Sequence, residues 1–209
     1  MGTFKLGVCA LLASLMATGC ANEGDGKRGE PKDDPQQSTP FIAPEAMTGS
    51  YLLIVSTTIA PRIPVIYEAQ LEAELEGNEL ALHLRQRPLS KLDRKTPVGP
   101  WTDWTDGHVD AEGHFDSGTL ELVIPADANA LTGLDTQVEI ALSAWLPAQS
   151  ADAPADFLCG EVTGRIVGPI PIDDLSGSTF TVMRVADLDH PEDFPEIEIN
   201  CDHEPARPL

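Results

Sequence analysis

Positive charge is scarce in this sequence. Lys and Arg number 13, against 34 Asp and Glu. Nucleic-acid binding depends on Lys and Arg neutralising phosphates, so nucleic acid is not an expected partner. Adsorption onto bare anionic lipid is disfavoured for the same reason. What remains is a solvated acidic surface, one that also suits cationic partners or divalent ions. Catalytic signatures are missing too. G-x-S-x-G, H-E-x-x-H, a P-loop and G-x-G-x-x-G do not occur, and no Ser or Cys stands in a recognisable nucleophile context. A non-enzymatic protein without a cofactor is therefore expected. The apolar run at positions 6–16 is too short to span a bilayer as a helix. No stretch carries the period of an amphipathic helix, and no internal repeat is visible beyond a hairpin rhythm.

The N-terminus holds the clearest motif. One cation, Lys5, precedes the apolar segment 6–16, and Ala17-Thr18-Gly19 then leads into Cys20. A charged n-region, a short apolar h-region and small residues before the cleavage point mark a secretory signal peptide. The run into Cys20 resembles the lipobox of bacterial lipoproteins, with Ala17 where the family usually has Leu. The resemblance implies cleavage after residue 19 and acylation of Cys20 by a diacylglyceryl group and a fatty acyl chain such as palmitate. Two or more chains make a stable anchor. Ala21, in place of the Asp that favours inner-membrane retention in that family, points to the outer membrane of the cell envelope. Cys9 lies within the apolar run behind bulky Val8 and does not compete. Cys20 to position 45 forms a tether. Positions 22–40 carry Gly, Pro, Gln, Ser and charges with no aliphatic or aromatic side chain, so disorder is expected there. Such a linker reaches on the order of 25 Å.

Apolar residues return at Phe41-Ile42, and positions 46–209 are long enough for one core. The strongest pattern lies at 63–76. Val65, Tyr67, Ala69, Leu71, Ala73 and Leu75 alternate with Glu68, Gln70, Glu72, Glu74 and Glu76. A period of two marks a half-buried antiparallel strand. Gly77-Asn78 suits a two-residue type II′ turn, after which Leu80, Leu82 and Leu84 face in while His83, Arg85 and Arg87 face out. Around that turn Leu75 meets Leu80 and Leu71 meets Leu84 inside. Outside, Glu72 meets His83, Gln70 meets Arg85 and Glu68 meets Arg87. Burial and charge complementarity thus predict one register. Further strands are expected at 51–60, 101–109, 114–124, 136–146, 157–167 and 179–186. About eight mostly antiparallel strands predict an all-β fold, either a β-sandwich or a small up-and-down barrel.

Once Cys20 is acylated, Cys159 and Cys201 remain. In an exported protein these predict one disulfide that pins the tail after Ala186 onto the strand holding Cys159. Two free thiols are the alternative, since no CxxC or close Cys–His set supports zinc. Two weaker constellations invite a ligand. On a hairpin turning at 110–113, His108, Asp110, His114 and Asp116 share an outer face. They are candidate Zn²⁺ ligands, or else simple cross-strand contacts. Trp101 and Trp104 sit in a WTD repeat that could stack a sugar; in a strand, positions three apart face opposite ways, so one is expected in the core and the other at its rim. The tail carries eight acids between Asp187 and Glu204 but lacks the spacing of an EF-hand. Gly99-Pro100-Trp101 resembles the G-x-W of lipocalins, yet it stands mid-chain, so none of that family's ligand-binding residues carry over. The expectation is a non-enzymatic, membrane-anchored envelope lipoprotein that binds another envelope protein or a glycan. A lipocalin-like carrier of a small apolar ligand is the alternative, and a hydrolase the second one.

Overall fold

The computed structural model describes residues 43–146 and 156–209. The expected signal peptide, the expected acylation site at Cys20 and nearly all of the expected tether lie outside the described residues. A single helical turn, α1 (Pro44–Met47), leads into β1 (Gly49–Ser56), β2 (Val65–Glu76), β3 (Glu79–Pro88), β4 (Thr105–Val109), β5 (His114–Ile124), β6 (Thr136–Trp145), β7 (Phe157–Gly168) and β8 (Ser178–Val185). Each strand pairs antiparallel with the next, and β8 pairs with β1, closing the sheet into an up-and-down barrel. The β2–β3 hairpin has the register expected from its burial and charge patterns, with Leu75 opposite Leu80 and Glu68 opposite Arg87. Gly77 takes φ +68° at the first loop position, as a type II′ turn requires. In the next hairpin His108 faces Asp116 and Val109 faces Phe115, also as expected.

Alternation sorts the side chains into two cores. Tyr51, Leu53 and Val55 of β1, Tyr67, Ala69 and Leu71 of β2, and Phe115, Ile140 and Phe180 from further round the wall fill the barrel interior. Large residues are matched by small ones. A Cβ at Gly160 would lie 2.2 Å from the Ser143 carbonyl oxygen and 2.8 Å from the Phe180 ring. The glycine therefore leaves room for Phe180, which meets Phe115 at a centroid distance of 6.1 Å. Eight strands enclose just enough space for such filling. One end of the barrel is sealed by α1, which buries Ala46 and Met47. There the Tyr51 hydroxyl donates to the Met47 carbonyl at 2.6 Å. The Arg184 guanidinium lies 4.7 Å over the Tyr51 ring and donates to the Thr48 carbonyl at 3.1 Å.

Tyr51 and Tyr67 are the only tyrosines of the chain, and both are buried. Burial pushes the Tyr51 phenol from its ordinary value of 10.0 up to about 12, against the lowering effect of Arg184. Burial raises Tyr67 as well. A raised phenol pKa means that the fold holds protons the unfolded chain has released. This stabilisation is intact below the ordinary phenol range and is lost as pH climbs through the raised values. Phenolate absorbance is expected to rise only together with loss of the β-sheet circular dichroism. A fraction titrating near the ordinary value with the fold intact would show one ring to be accessible.

A second core lies outside the barrel. Leu52 and Ile54 of β1, Ile66 of β2 and Met183 and Val185 of β8 point outward, and the chain after β8 covers them with Leu188, Ile199 and Ala206. The tail folds into a small hairpin: Ile199 N–H donates to the Glu204 carbonyl at 2.9 Å, and Ala206 N–H to the Ile197 carbonyl at 2.9 Å. Thr179 Oγ1 on β8 donates to the Ile199 carbonyl at 2.7 Å. Cys201 at the hairpin tip stands at disulfide distance from Cys159 on β7, with Cα atoms 5.3 Å apart. Glu68 illustrates the effect of this cover. It faces outward on β2, yet its side chain is 1% exposed and paired with Arg87. Burial raises its carboxyl pKa, Arg87 opposes the rise, and Asp189 of the tail adds to it.

The wall is uneven between β4 and β5. Gly107 lets the two strands approach closely, since a Cβ there would sit 2.9 Å from the Asp116 carbonyl oxygen. The ladder then stops after the His108–Asp116 and Val109–Phe115 pairs. A bulge between Asp116 and Thr119, with Gly118 at φ +62°, bends β5 away. Among the described residues, the β4-facing edge of β5 from Thr119 to Ile124 has no ladder partner.

Candidate functional site: the open mouth of the barrel

The end opposite α1 is framed by loops 57–64, 89–104, 125–135 and 169–177. All four are braced by hydrogen bonds, and three of them present apolar side chains to the opening. In the first, Ser56 Oγ donates to the Pro61 carbonyl, and Ile63 N–H donates to the Ala60 carbonyl at 2.9 Å. In the last, Ile166 and Ile172 exchange both backbone bonds at 2.9 and 3.0 Å. The third loop is organised by Asn129. The two protons of its Nδ2 are shared among Thr132 Oγ1, the Leu134 carbonyl and Thr136 Oγ1, at 2.8, 3.0 and 2.9 Å. Its Oδ1 accepts from the backbone N–H groups of Leu131 and Thr132, both at 3.1 Å.

These braces hold apolar side chains over the barrel opening. Between them lies a cavity of about 260 Å³, walled by Val55, Val65, Ile124, Val138, Ile140, Ile166 and Leu175 and rimmed by Ile59, Ile63, Leu131, Ile170 and Ile172. Thr57, Asn129, Thr132 and Thr136 are its polar lining, and no lining residue is ionisable. Ile59, Leu131 and Ile170 remain 45, 42 and 55% exposed. Three large aliphatic side chains are thus left in water round a concave apolar space. Asn129→Ala removes this whole network from the loop that presents Leu131, and is expected to lower unfolding free energy by about 2 kcal/mol. A urea titration checks this; an unchanged midpoint would show the loop to be braced by other groups.

The residues singled out from sequence lie elsewhere, on the β4–β5 hairpin and just before β4. His108, Asp110, His114 and Asp116 do not converge. Asp110 Oδ1 accepts from the N–H groups of Glu112 and His114 at 3.0 and 2.8 Å. The His114 ring meets Ser143 Oγ at 3.1 Å and lies 4.9 Å from the Trp145 ring. Asp116 Oδ1 accepts from Gly118 N–H at 2.7 Å, within the bulge. Among the described residues no three His, Cys, Asp or Glu side chains are placed to hold a metal ion. A pairing the sequence reading missed is His83 with Asp106, at 2.8 Å across β3 and β4. Trp101 and Trp104 precede β4, outside the strand expected at 101–109, so facing by alternation does not apply. Neither enters the barrel interior; Trp101 packs against the outer core and Trp104 is 39% exposed. Both stack on the Arg85 guanidinium, at 5.2 and 4.6 Å, and Arg87 lies 4.8 Å over Trp101. Each indole ring thus has at least one arginine over it.

No protein-family model matches the chain, and no curated protein or solved structure is significantly similar to it.

Proposed function

We propose that this chain is a membrane-anchored lipoprotein of the cell envelope whose barrel binds a small apolar ligand at its open end. The observation that carries the reading is the apolar cavity at the mouth, with Ile59, Leu131 and Ile170 exposed at its rim. An eight-stranded barrel has room for one small ligand, and here the interior is filled below the mouth and open within it. The absence of ionisable groups from the cavity lining favours binding over catalysis. Its hydrocarbon walls favour a carrier over a glycan-binding module, because the two tryptophans that would stack a sugar hold arginines instead. The lipobox at Cys20 supports the anchor, and its three acyl chains would keep the domain at a membrane surface where apolar ligands reside.

The test uses the full chain with Nile red as probe and dodecanol as competitor. Saturable binding is expected, reversed by the alcohol. Leu131→Asp and Ile170→Asp each place a charge in the apolar mouth and are expected to weaken binding by more than about tenfold. Leu92→Asp, at a side chain 79% exposed and away from the cavity, serves as the control. Binding that is unsaturable, or equally affected by all three variants, would refute the reading.

A further inference from the structure

We infer that the barrel mouth is flanked by an anion pocket, so that the ligand is an amphiphile with a carboxylate or phosphate head; this rests on the apolar-ligand reading above. The argument begins with charge. Nine basic residues fall within the described residues: Arg62, Arg85, Arg87, Lys91, Arg94, Lys95, Arg165, Arg184 and Arg207. The four on strands are all engaged. Arg87 pairs with Glu68, Arg165 with Glu139 and Arg184 with Asp156, while Arg85 holds Gln70 between two tryptophans. The other five lie in the loops and tail at the mouth end, and none of them forms an ion pair with a described residue. In a chain with 34 acidic side chains, unpaired cations gathered at one end need a reason.

Three of these cations share one pocket. Lys91, Arg94 and Arg207 line a depression of about 180 Å³ together with Ser90, and no Asp or Glu lines it; Leu209 also lines it, and its terminal carboxylate forms no ion pair with the three cations. The acid nearest in sequence is committed elsewhere: Asp93 accepts from Lys95 N–H, Thr96 N–H and Thr96 Oγ1. Asp127 is exposed and does not line the pocket, though its backbone carbonyl accepts from Lys91 N–H at 2.8 Å. Lys91 Nζ is oriented by the Ala126 carbonyl at 2.8 Å, which leaves two of its three protons for another acceptor. Arg94 adopts φ +58°, a left-handed conformation that a non-glycine residue takes up only when its surroundings impose it. Its N–H donates to the Ser90 carbonyl at 2.8 Å.

The pocket adjoins the mouth. Ile63 lines both spaces, and Ala128 and Ala130 line the pocket while Asn129 and Leu131 line the cavity. The segment from Ala128 to Leu131 is thus a partition with cations on one side and hydrocarbon on the other. An amphiphile bent over this partition would place its tail in the mouth and its oxyanion among Lys91, Arg94 and Arg207. A guanidinium offers a planar fork of donors that matches either oxyanion.

Dodecanoate, dodecanol and inorganic phosphate are titrated separately against the full chain and its Lys91→Gln/Arg94→Gln/Arg207→Gln variant, below micelle-forming concentrations. The carboxylate is expected to bind the native chain about tenfold more tightly than the alcohol, the size of a charge-assisted hydrogen-bond contribution. That advantage should vanish in the variant and shrink with added salt, while dodecanol affinity stays the same. Equal affinity for the two amphiphiles overturns the anion pocket and leaves the apolar mouth standing, as does a carboxylate preference that survives in the variant. Phosphate binding that the variant loses, with neither amphiphile bound, supports the pocket as a free-oxyanion site and defeats the apolar-ligand reading.

Discussion

Replacing Cys159 and Cys201 together by serine lowers the unfolding free energy by about 4 kcal/mol. The two residues are 42 positions apart, and closing a loop of that length removes unfolded-chain entropy worth about this much. The contribution is local in its consequences. The bridge holds the tip of the tail hairpin against β7, and the same hairpin supplies Ile199 and Ala206 to the outer core over Leu52, Ile54 and Ile66. With the bridge gone, the Phe157–His203 ring contact at 4.6 Å and the Thr179–Ile199 hydrogen bond lose their tether. The tail should then exchange its amide hydrogens well before the barrel does. Denaturant titration with hydrogen exchange checks both parts. A double variant as stable as the parent, with a protected tail, would show that the outer core alone fastens the tail.

Phe180→Ala costs about 4 kcal/mol, in the range for truncating a fully buried aromatic ring. Phe180 is 0% exposed, in the middle of the barrel. Gly160 on β7 has no side chain with which to refill the space, and Ala144 beside it is small. The void cannot close from that side without moving backbone, so the cavity term stays large. Phe115 also loses its aromatic neighbour at 6.1 Å. A shift of the urea midpoint at constant slope measures the effect. A loss below about 1 kcal/mol would place the ring outside the packed centre. Gly160→Ala probes the same packing from the neighbouring strand, since its Cβ would meet the Ser143 carbonyl, the Ala144 Cβ and the Phe180 ring.

The β2–β3 hairpin was legible in the sequence because two independent patterns, apolar alternation and opposed charges, agree on one register across ten pairs. Strand existence was legible elsewhere for the first reason alone. That alternation left the sandwich and the barrel open, because closure depends on β1 reaching β8, and no local pattern records the pairing of Ser50 with Val185. Trp101 was misassigned because the β4 pattern was extended back to it, although pairing in β4 begins only at Thr105. The bulge at Asp116–Thr119 left one visible trace, Gly118, within a run that otherwise reads as continuous strand. The tail looked like an acidic loop. Its apolar residues Leu188, Phe194, Ile197 and Ile199 follow no fixed period, and they join the core only because β1 and β8 expose Leu52, Ile54, Met183 and Val185 on their outer faces. The mouth was hidden for a similar reason. Ile59, Leu131 and Ile170 are isolated in three separate loops, and only closure of the barrel gathers them round one opening.

The short β4–β5 ladder has a mechanical consequence. A closed cylinder yields first along the join with the fewest rivets, and here two residue pairs fasten one wall while its neighbours have five and nine. Opening along that join needs no rupture of the Tyr51–Arg184 seal or of the Cys159–Cys201 clamp, both of which sit on other strands. The barrel can therefore breathe sideways while its floor stays shut. The exposed margin of β5 is guarded against sticking to other chains by Glu121, which lies beside Glu139 on the outer face and repels any acidic edge brought against it.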